Sequence, residues 1–197
     1  MGARDDILAA LRSALPPAAP HPDLSGVGLR FPDPIVALGE AVTAAGGALV
    51  RVPDLAAADR EVRELAGRIG AKRVVSLVPG VGASTDDSAA VADPHALEGV
   101  GLAVLRGDLA VAENAAVWVD GRNLPHHALV VVPEHLALVV DAKTVVHDMH
   151  EAYARLGLGA APRFGLFVAG PSKTADIEQA LVIGAHGARS CTVLLVG

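Results

Sequence analysis

The chain has 197 residues, 52% of them hydrophobic but only 3% aromatic, with a net charge of −6 and a pI of about 5.7. That length suits one α/β domain with a small appendage, able to bury about 70% of the surface its unfolded form exposes. An acidic chain without a basic stripe or aromatic–basic interleaving is not built for nucleic acid. No apolar run approaches the ~18 residues of a membrane span, and the single cysteine, Cys191, excludes an internal disulfide and an iron–sulfur cluster held by this chain's cysteines alone.

From Arg4 to Leu15, the residues Ile7, Leu8, Leu11 and Leu15 recur at helical spacing. Pro16, Pro17, Pro20 and Pro22 end this narrow apolar stripe. Asp5 and Asp6 stand where a secretory signal would be basic, and Asp6 occupies the position where a myristoylated Gly2 wants Ser or Thr. A soluble cytoplasmic protein is the expectation. Residues 1–34 read as a short helix and a Pro/Gly-rich linker, the helix packing on its own domain or on a second copy. Residues 35–197 read as the main α/β domain.

The main domain alternates. A helix at 35–45 precedes a strand at Ala48–Val52. A helix at Leu55–Ile69, capped by Asp54, leads to a strand at Arg73–Leu77. Strands follow at Gly101–Leu105, Leu109–Ala112, Ala116–Val119, Leu129–Val132 and Leu136–Val140. A helix at Thr144–Leu156 comes next, then strands at Phe164–Ala169 and Cys191–Val196 with a helix between them. Near-continuous Val/Leu runs between helices argue for a mainly parallel sheet with helices on both faces. The consecutive central strands argue for a hairpin or meander insertion.

Two short motifs carry little chemistry. Gly80-Val81-Gly82 follows a strand, but Thr85 stands where a dinucleotide fingerprint needs its third glycine. The turn, with Ser84 and Thr85, reads as a surface turn or a small-anion loop. His147, His150 and Glu151 share one helix face, but no further ligand is placed to complete a zinc site, and a solvated face is the reading adopted.

The most informative stretch is Gly170-Pro171-Ser172-Lys173-Thr174-Ala175-Asp176-Ile177-Glu178, followed by Gly184-Ala185-His186-Gly187. It follows an apolar strand and reads as a strand-to-helix turn, a common ligand position in α/β proteins. Ser172 or Thr174 would cap the helix, whose first-turn N–H groups favour an anion, with Lys173 adding positive charge. Asp176 and Glu178 would stabilise the same helix start with no ligand at all. His186, between glycines, reads as an acid/base group, a ligand contact or a helix C-cap.

This order of residues resembles the signature of LUD-domain proteins, the lactate-utilisation protein C-like subunits in particular. The resemblance extends over about residues 35–197. It implies the fold shared by ribose-phosphate isomerases, glucosamine-phosphate deaminases and CoA transferases. It also marks Lys173 and Asp176 as site residues: Lys173 as the anion contact, Asp176 to orient it or act as a base. Ala112-Glu113-Asn114-Ala115-Ala116 is similar to the family's A-E-T-G-T segment, with Glu113 kept and two hydroxyls and a glycine replaced. Glu113 is then a general base, a nucleophile of the CoA-transferase type, or a carboxylate paired with Arg106 or Arg122. Arg122-Asn123-Leu124-Pro125-His126-His127 is similar to another family segment, with His127 directly before the apolar run. Arg122 would hold a substrate carboxylate by a bidentate pair or bind a structural acid.

The resemblance implies a subunit of an L-lactate oxidation system, lactate to pyruvate, acting with separate iron–sulfur subunits. No cofactor is expected on this chain, a small carboxylate is the expected substrate, and a homo-oligomer is possible. The expected catalytic set is Glu113, Lys173, Asp176 and His186, and the expected substrate-binding set is Arg122, Ser172, Lys173 and Thr174. The alternatives are a stand-alone enzyme of the isomerase or CoA-transferase kind, or a scaffold without chemistry.

Overall fold

The structure is a computed structural model. It describes all residues except 1, 17–18, 21, 25, 158–163 and 176–179. In chain order the elements are α1 (Ala3–Ala14), α2 (Pro34–Ala44), β1 (Ala48–Val52), α3 (Leu55–Ile69), β2 (Val74–Ser76), β3 (Leu102–Gly107), β4 (Leu109–Val111) and β5 (Val117–Asp120). Then come β6 (His135–Asp141), β7 (Val145–Val146), α4 (Met149–Leu156), β8 (Gly165–Val168), β9 (Lys173–Thr174), β10 (Val182–Ile183) and β11 (Ser190–Val196).

Five strands form a wholly parallel sheet in the order β1-β11-β6-β3-β2. Both faces are covered, so its strands are apolar at nearly every position. On one face α3 buries Ala57, Ala58, Val62 and Leu65 against Leu102, Val104, Ala137 and Leu194. Asp54 caps that helix by accepting the Ala57 N–H at 2.7 Å, and Gly70 ends it in the left-handed region at φ 67°. On the other face α2 inserts Leu38 and Val42 beside a second sheet, ordered β7-β4-β5-β8. The β4–β5 hairpin is the inserted pair that the consecutive central strands predict. Helix α4 closes the outside of the second sheet, packing Ala152 with Trp118, Val146 and Phe167.

Gly107 permits the passage from β3 into β4. A Cβ there would lie within 2.4 Å of Val117 Cγ1 and 2.7 Å of Val140 Cγ2. Ser84 and Thr85 are engaged with the sheet. Their side chains pair with the outer edge of β2: Thr85 Oγ1 accepts the Val74 N–H at 3.0 Å and Ser84 Oγ accepts the Ser76 N–H at 2.7 Å. Hydroxyls thus cover an edge that would otherwise offer itself for strand addition.

Three expected elements differ. The strand expected at Leu129–Val132 is a 3-10 turn over His127–Val130, bounded by Pro125 and Pro133, with Leu129 and Val130 buried and Val131 and Val132 exposed. The helix expected from Thr144 starts at Met149, because Val145 and Val146 pair with β4 and Asp148 caps the later start. At the expected start of the signature helix, Lys173–Thr174 form strand β9, paired antiparallel with β10, and residues 176–179 of that expected helix lie outside the described residues. Thr174, Val182 and Ile183 are β-branched and suit that ladder.

Helix α1 forms as expected and buries none of its residues; Ile7, Leu11 and Leu15 are all exposed. The end of the linker is fixed: Arg30 reaches Asp148 at 3.5 Å and Glu151 at 3.3 Å, and the Phe31 N–H donates to His147 Nδ1 at 3.1 Å. Among the described residues, no helix is long and apolar enough to cross a membrane.

Candidate functional site

The two halves of the signature meet at the amino-terminal end of the parallel sheet. Strand β8 ends beside Val117, and Gly170 turns the chain at φ 79°. A Cβ on Gly170 would lie 2.6 Å from the Ala45 carbonyl oxygen at the end of α2, so only glycine fits this approach. The Ser172 N–H then donates to the Ala188 carbonyl at 2.8 Å, and the Gly184 N–H donates to the Ser172 carbonyl at 2.9 Å. A Cβ on Gly187 would stand 3.1 Å from Ser172 Cβ, so G-A-H-G packs directly against G-P-S-K-T. These backbone bonds hold Ser172 and Thr174 in a hairpin.

Lys173 and His186 are both exposed. Lys173 lies over Gly46, with its Nζ 3.5 Å from where a Cβ on that glycine would be. Gly46 follows the last turn of α2, where the helix dipole is negative and an ammonium group is stabilised. Leu181 and Ile183 flank these polar groups at 63% and 51% exposure. The sequence reading missed this exposed apolar pair. Its signal was the run Leu181-Val182-Ile183 placed directly before G-A-H-G. Asp176 lies outside the described residues.

Glu113 and Arg122 are held elsewhere. Glu113, exposed in the turn between β4 and β5, accepts the Met149 N–H at 3.1 Å and so supports the start of α4. Beside it Ala115 is fully buried at φ 63°, in the left-handed region. This is the position where the resembled pattern has glycine. Arg122 grips Asp120 through Nε at 3.1 Å and Nη2 at 2.8 Å. Asp120 is 2% exposed and also accepts the Arg122 N–H at 3.0 Å. Hydrogen bonding to Asp120 raises the guanidinium pKa further. In this structure the acid that Arg122 holds is Asp120. His127 stacks on Phe164 with ring centroids 3.8 Å apart.

His147 and Glu151 are engaged in packing. His147 stacks on Phe31 and Glu151 accepts the His147 N–H at 3.1 Å. Among the described residues, no group of three or more His, Cys, Asp or Glu is placed to hold a metal ion. The Cys191 thiol is buried, and desolvation pushes its pKa up to about 12.

What unites these places is the segment running from the 3-10 turn at Pro94 to the end of β11. The profile of the family described as LUD domain matches residues 95–196, over half of the chain. Within about half of its length the chain is 31% identical to Lactate utilization protein C of Geobacillus kaustophilus, covering 51% of this chain and 44% of that protein. It is 29% identical to the protein of the same name from Shouchella clausii, covering 45% of this chain and 41% of that one. The match to these curated relatives spans less than half of their length. A crystal structure of a DUF162 family protein from Deinococcus radiodurans superposes with a TM-score of 0.57 at 18% identity, covering 83% of this chain and 96% of that one, and so shares the fold. With the signature, the Glu113 turn and the Arg122 segment all inside the matched residues, the chain belongs to the LUD-domain family.

Proposed function

We propose that this chain is a subunit of a lactate-utilisation system that carries no redox centre of its own and meets its iron–sulfur partners through the signature hairpin. The reading draws on the relatives named Lactate utilization protein C. The observation that carries it is the surface at the amino end of the sheet: exposed Leu181 and Ile183 on the hairpin that presents the Lys173 ammonium, with exposed His186 following in the chain. An apolar centre with a polar rim is the usual anatomy of a protein contact. Oxidation of lactate to pyruvate releases two electrons, and this chain offers one thiol, which is buried and far from its thiolate form at neutral pH. The electron carriers are therefore assigned to the partners.

A second reading is a scaffold without chemistry. It is favoured by Glu113 and Arg122 being committed to the α4 start and to Asp120.

A tagged chain recovered from lactate-grown native cells, under conditions that preserve clusters, is expected to bring down cysteine-rich iron–sulfur proteins in stoichiometric amounts. Leu181→Asp with Ile183→Asp is expected to lose them while keeping the thermal midpoint. A clean, iron-free eluate from the unaltered protein would overturn the reading.

A further inference from the structure

At the carboxyl end of β2, Ser76 and Leu77 open on a cavity of about 540 Å³ that the turn 84–89 and Pro125 complete. Ligands of parallel α/β sheets bind outside the carboxyl ends of the strands. The volume falls in the range of small-molecule sites, roughly 300–1,000 Å³. Leu77, Ala89 and Pro125 contribute apolar wall. Among the described residues, the charged side chains of the lining are two acids, Asp86 and Asp87, and no base.

Most polar groups of the lining are already matched. Ser84 and Thr85 bond to the edge of β2, and Ser76 Oγ donates to the Val81 carbonyl. Asp86 is held by Arg73, whose Nη2 stands 3.0 Å from Oδ1, and accepts from Thr85 Oγ1 at 2.6 Å. Two consecutive residues are left over. Asp87 is exposed and uses only Oδ1, which accepts the Ala89 N–H at 3.0 Å; its Oδ2 has no partner among the described residues. Ser88 is 4% exposed, yet its hydroxyl makes no hydrogen bond to any described residue. A hydroxyl withdrawn from water without a partner is unfavourable, and on the wall of a cavity it points to a ligand that completes it.

These two groups select the chemistry of that ligand. Arg73 offsets Asp86, so one negative charge remains, on Asp87, and the cavity favours a cation over an anion. A guanidinium wants both oxygens of a carboxylate for its fork, and Asp87 Oδ1 is taken. An ammonium is a point charge with three donors and needs one carboxylate oxygen and a neighbouring acceptor. A hard divalent ion wants several carboxylate or carbonyl oxygens, and among the described residues no three acids or histidines are placed for one.

We propose that this cavity binds a small primary amine as its ammonium ion, held by Asp87 Oδ2 and Ser88 Oγ, with its alkyl chain against Leu77, Ala89 and Pro125. The proposal goes beyond the lactate-utilisation reading and does not depend on it.

Amide chemical shifts of the isotope-labelled full chain, titrated at neutral pH with butylamine, butylguanidine, butanol and butyrate, test it. Butylammonium is expected to move the Asp87, Ser88 and Ala89 amides saturably and to bind about tenfold or more tighter than butanol or butyrate, with butylguanidinium between them. Asp87→Asn keeps an oxygen for the Ala89 N–H, so it is expected to retain the thermal midpoint while weakening butylammonium about tenfold. Ser88→Ala removes a hydroxyl that has no partner in the fold, and is expected to weaken the amine about threefold without lowering the midpoint. The absence of saturable shifts in this turn, butanol binding as tightly as butylammonium, or equal affinity in the folded Asp87→Asn variant would overturn the assignment. Equal affinity in Ser88→Ala would overturn the two-point contact.

Discussion

Glu113 Oε2 accepts the backbone N–H of Met149 at 3.1 Å, which joins the turn between β4 and β5 to the first residue of α4. The helix has only eight residues, and its other cap, Asp148, serves the Glu151 N–H. First-turn N–H groups have no partner within a helix, so an acceptor supplied from a distant turn replaces water and adds the attraction of a carboxylate for the positive helix end. Glu113→Ala is expected to destabilise the fold by about 1 kcal/mol, the usual cost of a lost cap. Glu113→Gln, which keeps an acceptor without the charge, is expected to cost less. Urea denaturation of the three proteins decides this. Equal midpoints for all three would show that the bond contributes nothing.

Ala115 gives a second prediction. Its φ of 63° costs about 1–2 kcal/mol for a residue with a Cβ. Glycine would relieve that strain, but it would lose a fully buried methyl worth about 0.8 kcal/mol and add unfolded-state freedom of about 0.5–1 kcal/mol. Ala115→Gly is therefore expected to stay within about 1 kcal/mol of the parent. Ala115→Val, branched at Cβ and placed in the same tight backbone, is expected to be strongly destabilised. The test is the denaturation midpoint of each variant, and a stable Ala115→Val protein would contradict the argument.

Much of the parallel sheet was legible in the sequence because its strands are buried on both faces and bracketed by cap residues. Asp54 and Gly70 delimit α3, and the apolar runs of β6 and β11 have no competing reading. The failures lie where a short apolar or polar run can satisfy its backbone in more than one way. Val145 and Val146 continue the helical pattern of α4 backwards, yet pairing with β4 claims them. Leu129–Val132 looks like a strand, yet the prolines on either side leave room for one turn. The signature reads as a capped helix because Ser, Thr and Asp suit caps, but the decisive bonds come from Gly184 and Ala188, more than ten residues away. Local sequence does not contain that information. The same holds for Arg122: a side chain suited to a carboxylate was readable, but its pairing with Asp120 depends on how tightly that carboxylate is buried.

Glu151 makes the fold sensitive to acid. Partial burial alone would raise its pKa, but the His147 N–H and the Arg155 guanidinium, 2.7 Å from Oε1, overcome this and hold it below the ordinary 4.5. A carboxyl with a folded pKa below its unfolded one stabilises the fold fully above the unfolded value, and the contribution fades as pH falls through the folded value. The parent is therefore expected to exceed Glu151→Gln in thermal midpoint at pH 6, with the gap closing as pH falls below about 4.5. A gap that stays constant down to pH 3 would show that the difference comes from packing rather than ionisation.

Lys173 separates structure from function at the signature. Its ammonium lies over Gly46, just beyond the negative end of α2. Reversing the charge there sets an anion against the helix dipole, at a cost of about 0.3–1 kcal/mol. Lys173→Glu is expected to lower the thermal midpoint by a few degrees at most, and Lys173→Ala by less. If the hairpin meets a partner, capture of iron–sulfur proteins falls far more than stability in both variants, because a rim charge governs encounter with a complementary surface. Lys173→Arg keeps the charge and is expected to restore capture. Unchanged capture in Lys173→Glu, with the small stability loss present, would limit this lysine to holding the end of α2.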